Sequence, residues 1–380
     1  MKQHFLLDPS ITFLNHGSFG ACPRPVFEVY QDWQRELERQ PVKFLARDVY
    51  ENMYTARAAL AAYVNAAPHD LVYLPNPTIA GNVVARSLRL NPGDEILATD
   101  HEYGALDRTW RFVCARTGAH YIRRRIPFPV TTPADLIETF WAGVTSRTRV
   151  IFISHITSAT AIQFPVEEIC RRARAAGILT IVDGAHAPGQ IPLDLQAVGA
   201  DFYLGACHKW LCAPKGAAFL HARPAVQPLL EPLVVSWGYE DPTYETGYPF
   251  INQHEWQGTR DLAPFLSVPA AIQFQRDHNW DEHRQRCRHL VRQTRQRIAA
   301  LTGLDPVCPD EPGWFTQFFA TPLPELDPQA LKLRLYEDYR IEIPVHRFEG
   351  RVLIRASFQA YNDQADADAL VDALAALLPQ

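Results

Sequence analysis

Two residues of opposite charge close two apolar runs that lie near each other in the chain. Ile181-Val182-Asp183-Gly184-Ala185-His186 ends one run in a carboxylate, and Gly205-Ala206-Cys207-His208-Lys209-Trp210 follows another with an amine. Short apolar runs bounded by turn residues read as buried strands. Polar groups at the C-terminal ends of parallel strands project into the crevice where such sheets take ligands. The pair has two simple readings: a structural ion pair, or a site for pyridoxal 5′-phosphate (PLP). The second needs an amine to form a Schiff base, kept nucleophilic by partial desolvation or a nearby cation. It needs a carboxylate on the pyridine nitrogen, so that the ring accepts electrons from a substrate Cα. A phosphate cradle at a helix start, a flat ring cover and a cation for the substrate carboxylate complete the set.

Each part has a candidate. Thr78 opens a helix in Asn76-Pro77-Thr78-Ile79-Ala80-Gly81-Asn82, where its hydroxyl and first-turn amides such as that of Ile79 are placed for a phosphate. Alone, such a threonine is more often a plain cap. Tyr103, in Asp100-His101-Glu102-Tyr103-Gly104, is a candidate to stack on the ring, with His101 its rival; either of them, or a residue of the N-terminal arm, is also a candidate acid–base group on the face opposite Lys209. Arg355 ends the apolar run Val352-Leu353-Ile354, a costly place for an unpaired charge; a ligand carboxylate and a structural acid answer equally well. His208 is placed to donate to phosphate, His186 to reach the ring hydroxyl or the imine, and Ser158 to reach the same hydroxyl. His16 is a candidate substrate contact, with turn capping the equal alternative. Singly, each residue fits a packing or capping role; together they fall at strand ends in one order.

The elements that must position them alternate. Leu71–Leu74, Ile96–Thr99, His120–Arg123, Arg149–Ser154, Ile178–Val182, Asp201–Leu204 and Gly216–Leu220 read as short buried strands, with amphipathic helices clearest at Ala105–Arg116 and Val166–Ala176. That alternation predicts a mostly parallel, seven-stranded α/β sheet covered on both faces. Before it, residues up to about 30 read as an irregular arm, followed by a helix over Val26–Arg39. After Pro264 the pattern predicts a long helical segment to about Leu301, a strand over Trp314–Ala320, a helix over Pro328–Asp338, strands over Ile341–Val345 and Arg351–Arg355, and a terminal helix. The expected organisation is an arm (1–30) joining the small domain, a large ligand-binding α/β domain (31–262) and a smaller C-terminal α+β domain (263–380).

Net charge is −5 with no basic field, which argues against a nucleic-acid partner. The seven cysteines have irregular spacing and no CxxC, so no metal site and no disulfide framework is expected. No run of 18 apolar residues occurs and the start lacks an export signal, so a cytoplasmic protein without membrane insertion is expected.

On these residues the chain resembles class V aminotransferase-fold PLP enzymes, the superfamily of cysteine desulfurases, kynureninase and isopenicillin N epimerase. The likeness runs from Phe13-Leu14-Asn15 to the C-terminal helix. Asp183 and Lys209 lie 26 residues apart, similar to the family's spacing, with His186 where desulfurases place a Gln and Ser158 where they carry an Asn. His208-Lys209 resembles the family's His-Lys pair, but Ala206 stands where desulfurases have a phosphate-binding Ser. The segments Asn15-His16-Gly17-Ser18-Phe19-Gly20, Asp183-Gly184-Ala185-His186-Ala187-Pro188 and Cys207-His208-Lys209-Trp210 look most like the isopenicillin N epimerase-like branch. The resemblance implies PLP fold type I, chemistry at the Cα of an amino acid through Lys209, and Asn15, His16, Gly17 and Arg355 around the substrate. It also implies that Gln257-Gly258-Thr259-Arg260-Asp261 reaches the phosphate in a neighbouring subunit, hence a homodimer with composite sites. The same branch holds C–S β-lyases, so elimination from a cysteine derivative is the alternative, and transamination a third outcome. Desulfurase chemistry proper is disfavoured, since no cysteine lies between Pro309 and Arg355 to act as the thiolate. A non-catalytic PLP-fold binding protein predicts loss of an essential group, yet Lys209, Asp183 and Arg355 are all present. The substrate side chain is expected to meet loops such as Arg47 and Trp237–Tyr248.

Overall fold

The computed structural model describes residues 1–240 and 246–378. The N-terminal arm holds one two-residue strand, β1 (Thr12–Phe13). Seven strands follow: β2 (Leu71–Leu74), β3 (Glu95–Thr99), β4 (His120–Arg124), β5 (Thr148–Ser154), β6 (Leu179–Gly184), β7 (Phe202–Ala206) and β8 (Ala218–Ala222). They form one sheet in the order β2-β8-β7-β6-β5-β3-β4. Only β8 is reversed, pairing antiparallel with both β2 and β7; the other pairings are parallel. Strands covered on both faces must be apolar throughout, and β2, β3, β7 and β8 are buried at every residue. Edge strand β4 instead carries exposed His120 and Arg123, and a charge such as that of Arg123 discourages edge-to-edge pairing. The expected seven-stranded, mostly parallel α/β sheet is present.

The C-terminal part adds β9 (Phe318–Leu323), β10 (Ile341–Glu342), β11 (Val345–Phe348) and β12 (Arg351–Ser357). Strands β11, β12 and β9 make an antiparallel sheet, and β10 pairs in parallel with β1. The arm is thereby tied to the strand that carries Arg355, because Ser357 also donates its N–H to the Leu14 carbonyl at 2.8 Å.

Three C-terminal expectations shift. The strand expected over Trp314–Ala320 begins only at Phe318, since the Gln317 N–H donates to the Gln190 side chain at 3.1 Å rather than to a ladder. The strand expected over Ile341–Val345 divides into β10 and β11 around Pro344, which has no N–H to give. The helical segment after Pro264 is three helices, Ala263–Leu266, Val268–Asp277 and Trp280–Thr302, the last break marked by Asn279 at φ 49.

Close packing sets the helix that follows β2. Pro77–Ser87 lies against the helix Gly104–Thr117, and a Cβ on Gly81 would sit 2.4 Å from Leu106 Cδ2. Only a glycine permits that approach without moving Leu106.

Candidate active site

A cavity of about 240 Å3 opens where the C-terminal ends of β5, β6 and β7 meet the arm. Lys209, Asp183 and His186 line it together with Thr78, Tyr103 and Ser158. His208 lines it too, and the arm contributes Ser18 and Phe19. A larger groove of about 640 Å3, lined in part by Arg171 and Trp314, holds none of these groups.

Lys209 follows β7, and its Nζ lies 3.2 Å from His186 Nε2. Burial draws its pKa down to about 8, with Arg355 adding to the fall and Asp183 opposing it. An amine held there is partly neutral at physiological pH, the state a nucleophile needs. Asp183, on β6, is buried, and its pKa is raised chiefly by burial. One of its oxygens accepts the Ala185 N–H at 3.0 Å; the other takes no hydrogen bond from the described residues.

The parallel register sets Ser154 of β5 beside Asp183. Ser154 Oγ donates to Glu102 at 2.6 Å, and Thr99 Oγ1 donates to the other Glu102 oxygen at 2.6 Å. Burial pushes Glu102 up to about 8; the two hydroxyls oppose this and the charge of Asp183 adds to it. Sequence reasoning passed over Glu102 for its neighbours His101 and Tyr103, although the signal that marked Asp183, an acid just past a buried strand, marks Glu102 as well.

Several expected residues sit elsewhere. His101 is fully buried, bonded to Thr160 Oγ1 at 2.7 Å and to the Ile126 carbonyl at 2.9 Å, so it neither covers a ring nor faces substrate. Tyr103, unlike His101, does line the cavity and is 45% exposed. His16 is buried behind the wall, with Nε2 3.1 Å from the Lys209 carbonyl oxygen and Nδ1 3.0 Å from Tyr361 Oη. Asn15 donates to Glu342 at 3.0 Å, and Gly17 packs against Ser357 and Trp210. The arm therefore meets the cavity through Ser18 and Phe19, which sequence reasoning did not single out, and not through Asn15, His16 or Gly17. A one-turn helix, His16–Phe19, makes the difference: it turns Ser18 inward as it turns His16 away.

At the helix start the cap is Asn76, whose side chain accepts the Ile79 N–H at 2.9 Å. The Ile79 amide is thus engaged by its own cap, and Thr78 lines the cavity with Asn76 and Pro77. His208 Nδ1 donates to the Ala217 carbonyl at 3.0 Å. With its pKa lowered to about 4 by burial, the ring is neutral and Nε2 is a lone pair, so donation to phosphate requires a proton that the phosphate's own charge would have to recruit. Gly258 and Thr259 lie outside this cavity. Residues 241–245 of the expected Trp237–Tyr248 loop lie outside the described residues, and Arg47 is not among the lining groups.

Arg355 is buried with no carboxylate beside it. It donates to the Ser158 carbonyl at 2.5 Å, to Ser158 Oγ at 3.3 Å and to Ser18 Oγ at 2.9 Å. Its Nε–H is buried without a partner among the described residues, and burial draws its pKa down to about 10. No cysteine lines the cavity, and no cluster of three metal-ligating side chains occurs among the described residues. The residues present fit PLP: an amine, a carboxylate with an open oxygen, a helix start and an aromatic share one space.

Fold and site together define a class, and comparison with known proteins agrees. Residues 22–370 match the family model for aminotransferase class V; the chain belongs to this family of PLP-dependent enzymes. Within it, the chain is 38% identical to isopenicillin N epimerase of Amycolatopsis lactamdurans, over 98% of this chain and 96% of that protein. The isopenicillin N epimerase of Streptomyces clavuligerus is also 38% identical, over 99% and 97%. L-cysteine desulfhydrase of Arabidopsis thaliana is 26% identical over 96% and 87%. Among solved structures, the cysteine desulfurase CsdA of Escherichia coli superposes with TM-score 0.83 at 23% identity, covering 100% of this chain and 98% of that one. The cystine C–S lyase C-DES, with cysteine persulfide, gives TM-score 0.83 at 22% identity over 98% and 99%. These two likenesses concern the fold.

Proposed function

We propose that this chain works at the Cα of an amino acid as an isopenicillin N epimerase-like enzyme, with PLP held covalently by Lys209. The near-full-length identity to two isopenicillin N epimerases carries the reading, and the meeting of Lys209 and Asp183 in one cavity supports it. Bound PLP supplies an electron sink that lets a bond at Cα break heterolytically. Asp183 keeps a proton on the pyridine nitrogen, while Thr78 and the helix behind it receive the phosphate. Once a substrate amine had displaced it from the cofactor, the freed Lys209 Nζ would take the Cα proton on one face. Tyr103 covers the ring, and its phenol is the proton donor assigned to the other face. Ser158 and His186 serve the ring hydroxyl. Arg355 binds the α-carboxylate, exchanging bonds to serine oxygens for bonds to a charged partner.

The same reading includes a homodimer in which Gly258 and Thr259 reach the partner's phosphate site, and the division into residues 1–30, 31–262 and 263–380. It also places the protein in a reducing cytoplasm, which its free cysteines favour. Among the described residues no helix is long and apolar enough to cross a membrane.

A second reading, a C–S β-lyase on a cysteine derivative, is favoured by the likeness to L-cysteine desulfhydrase. One experiment separates the two. The enzyme is incubated in D2O with L-amino acids, S-substituted cysteines and cystine, followed by chiral analysis and assays for pyruvate and ammonia. Deuterated D-epimer without pyruvate supports the first reading. Pyruvate with ammonia supports the second, and neither product with any substrate would sink both.

A further inference from the structure

The residue after the cofactor lysine is itself placed to act. Trp210 is completely buried, and its Nε1–H points at His186 Nδ1 at 3.1 Å. An indole nitrogen only donates, so Nδ1 must present a lone pair. That excludes the Nδ1–H tautomer, and it equally excludes an imidazolium, since either would set one N–H against another. The single ring proton is then on Nε2, which is the nitrogen 3.2 Å from Lys209 Nζ. A nitrogen facing an N–H donor accepts only if it keeps its own lone pair. An ammonium at Lys209 would meet that donor with another.

We propose that Trp210 is a positioning residue that locks His186 as its Nε2–H tautomer, so that His186 enters the cavity only as a donor and favours the neutral form of Lys209. This rests on the reading of the cavity as a PLP site for its purpose, but not for its geometry. The surroundings agree with a neutral ring. Burial disfavours a charge on His186 first of all, and the nearby guanidinium of Arg355 adds to it. Phe318 stacks on its ring at 5.0 Å between centroids, 22° between planes, which holds the orientation. Lys209 in turn faces Asp183, which favours its charge, and Arg355, which opposes it. A donor at 186 also suits an oxygen anion on a bound ring, whereas an imidazole lone pair would repel it.

A packing role for Trp210 alone is the rival, because its ring also meets those of His16 and Phe318. The test is ring-15N NMR of histidine-labelled protein, with and without PLP, the His186 signals being assigned by their loss in His186→Gln. The expected result is a protonated Nε2 and a bare Nδ1 that do not titrate between about pH 6 and 8.5. A protonated Nδ1 or a titrating ring in the wild-type protein overturns the proposal. Trp210→Phe keeps an aromatic ring but removes the donor. It should release the tautomer lock and raise the apparent pKa of Lys209 by about one unit, read in cofactor-free protein as about tenfold slower amine labelling at neutral pH. An unchanged tautomer and labelling rate in that variant also overturns it. If the lock is seen but added PLP forms no chromophore bound to Lys209, the functional reading fails and the tautomer assignment stands.

Discussion

Arg355 Nη1 donates to the backbone carbonyl of Ser158 at 2.5 Å, joining the three-stranded sheet to the loop after β5 at the cavity wall. The guanidinium is buried and has only neutral oxygens as partners. A buried charge without a counter-charge is expensive, and a substrate carboxylate would relieve it. Arg355→Ala should therefore raise KM for amino acids by about 10–100-fold, the equivalent of losing a charge-assisted hydrogen bond or two. The corresponding amines without a carboxylate should lose little. Equal losses for both classes would remove Arg355 from carboxylate binding.

Lys209→Ala should abolish turnover and the absorbance expected at roughly 410–430 nm for a lysine-bound PLP. Thermal melting should show a folded protein, because the Lys209 amine makes no salt bridge among the described residues and its Nζ meets only His186. Intact-mass measurement after borohydride reduction checks the covalent link. Cofactor mass retained on another lysine would refute the assignment of residue 209.

Asp183→Asn should slow Cα–H exchange in D2O by about 100-fold or more, the order of loss seen when a preorganised electrostatic partner is removed. The amide keeps the size and can still accept the Ala185 N–H, so the fold should survive. What it lacks is the charge that keeps a pyridine nitrogen protonated. An unchanged exchange rate, followed by NMR on any accepted amino acid, contradicts the role.

The sheet was legible because strands buried on both faces leave continuous apolar runs, and Asp183 and Lys209 were legible because each breaks the pattern just past such a run. The arm was not. Asn15, His16 and Ser18 are all polar and lie within four residues, and only the turn of His16–Phe19 decides that Ser18 meets Arg355 while His16 meets the backbone of Lys209. The Trp210 contact was equally hidden, since an apolar flank of the lysine suggests packing and says nothing of where the indole N–H points. Asn279 illustrates a third kind of gap: its left-handed backbone divides a segment whose composition is helical throughout.

Glu102 offers a test of the site that needs no substrate. Its carboxyl is raised to about 8, against an ordinary value of about 4.3 in an unfolded chain. The folded protein thus keeps a proton that the unfolded chain has lost. Stability from this group is full below about pH 4.3, falls as pH rises, and is gone above about 8. Glu102→Gln cannot titrate, so its melting temperature relative to the wild type should climb between about pH 5 and about pH 9, by at least about 2 °C. Groups common to both proteins cancel in that difference. Because the charge of Asp183 contributes to the rise, the climb should shrink when both proteins also carry Asp183→Asn. A flat difference would mean that Glu102 is ionised throughout, beside a second carboxylate.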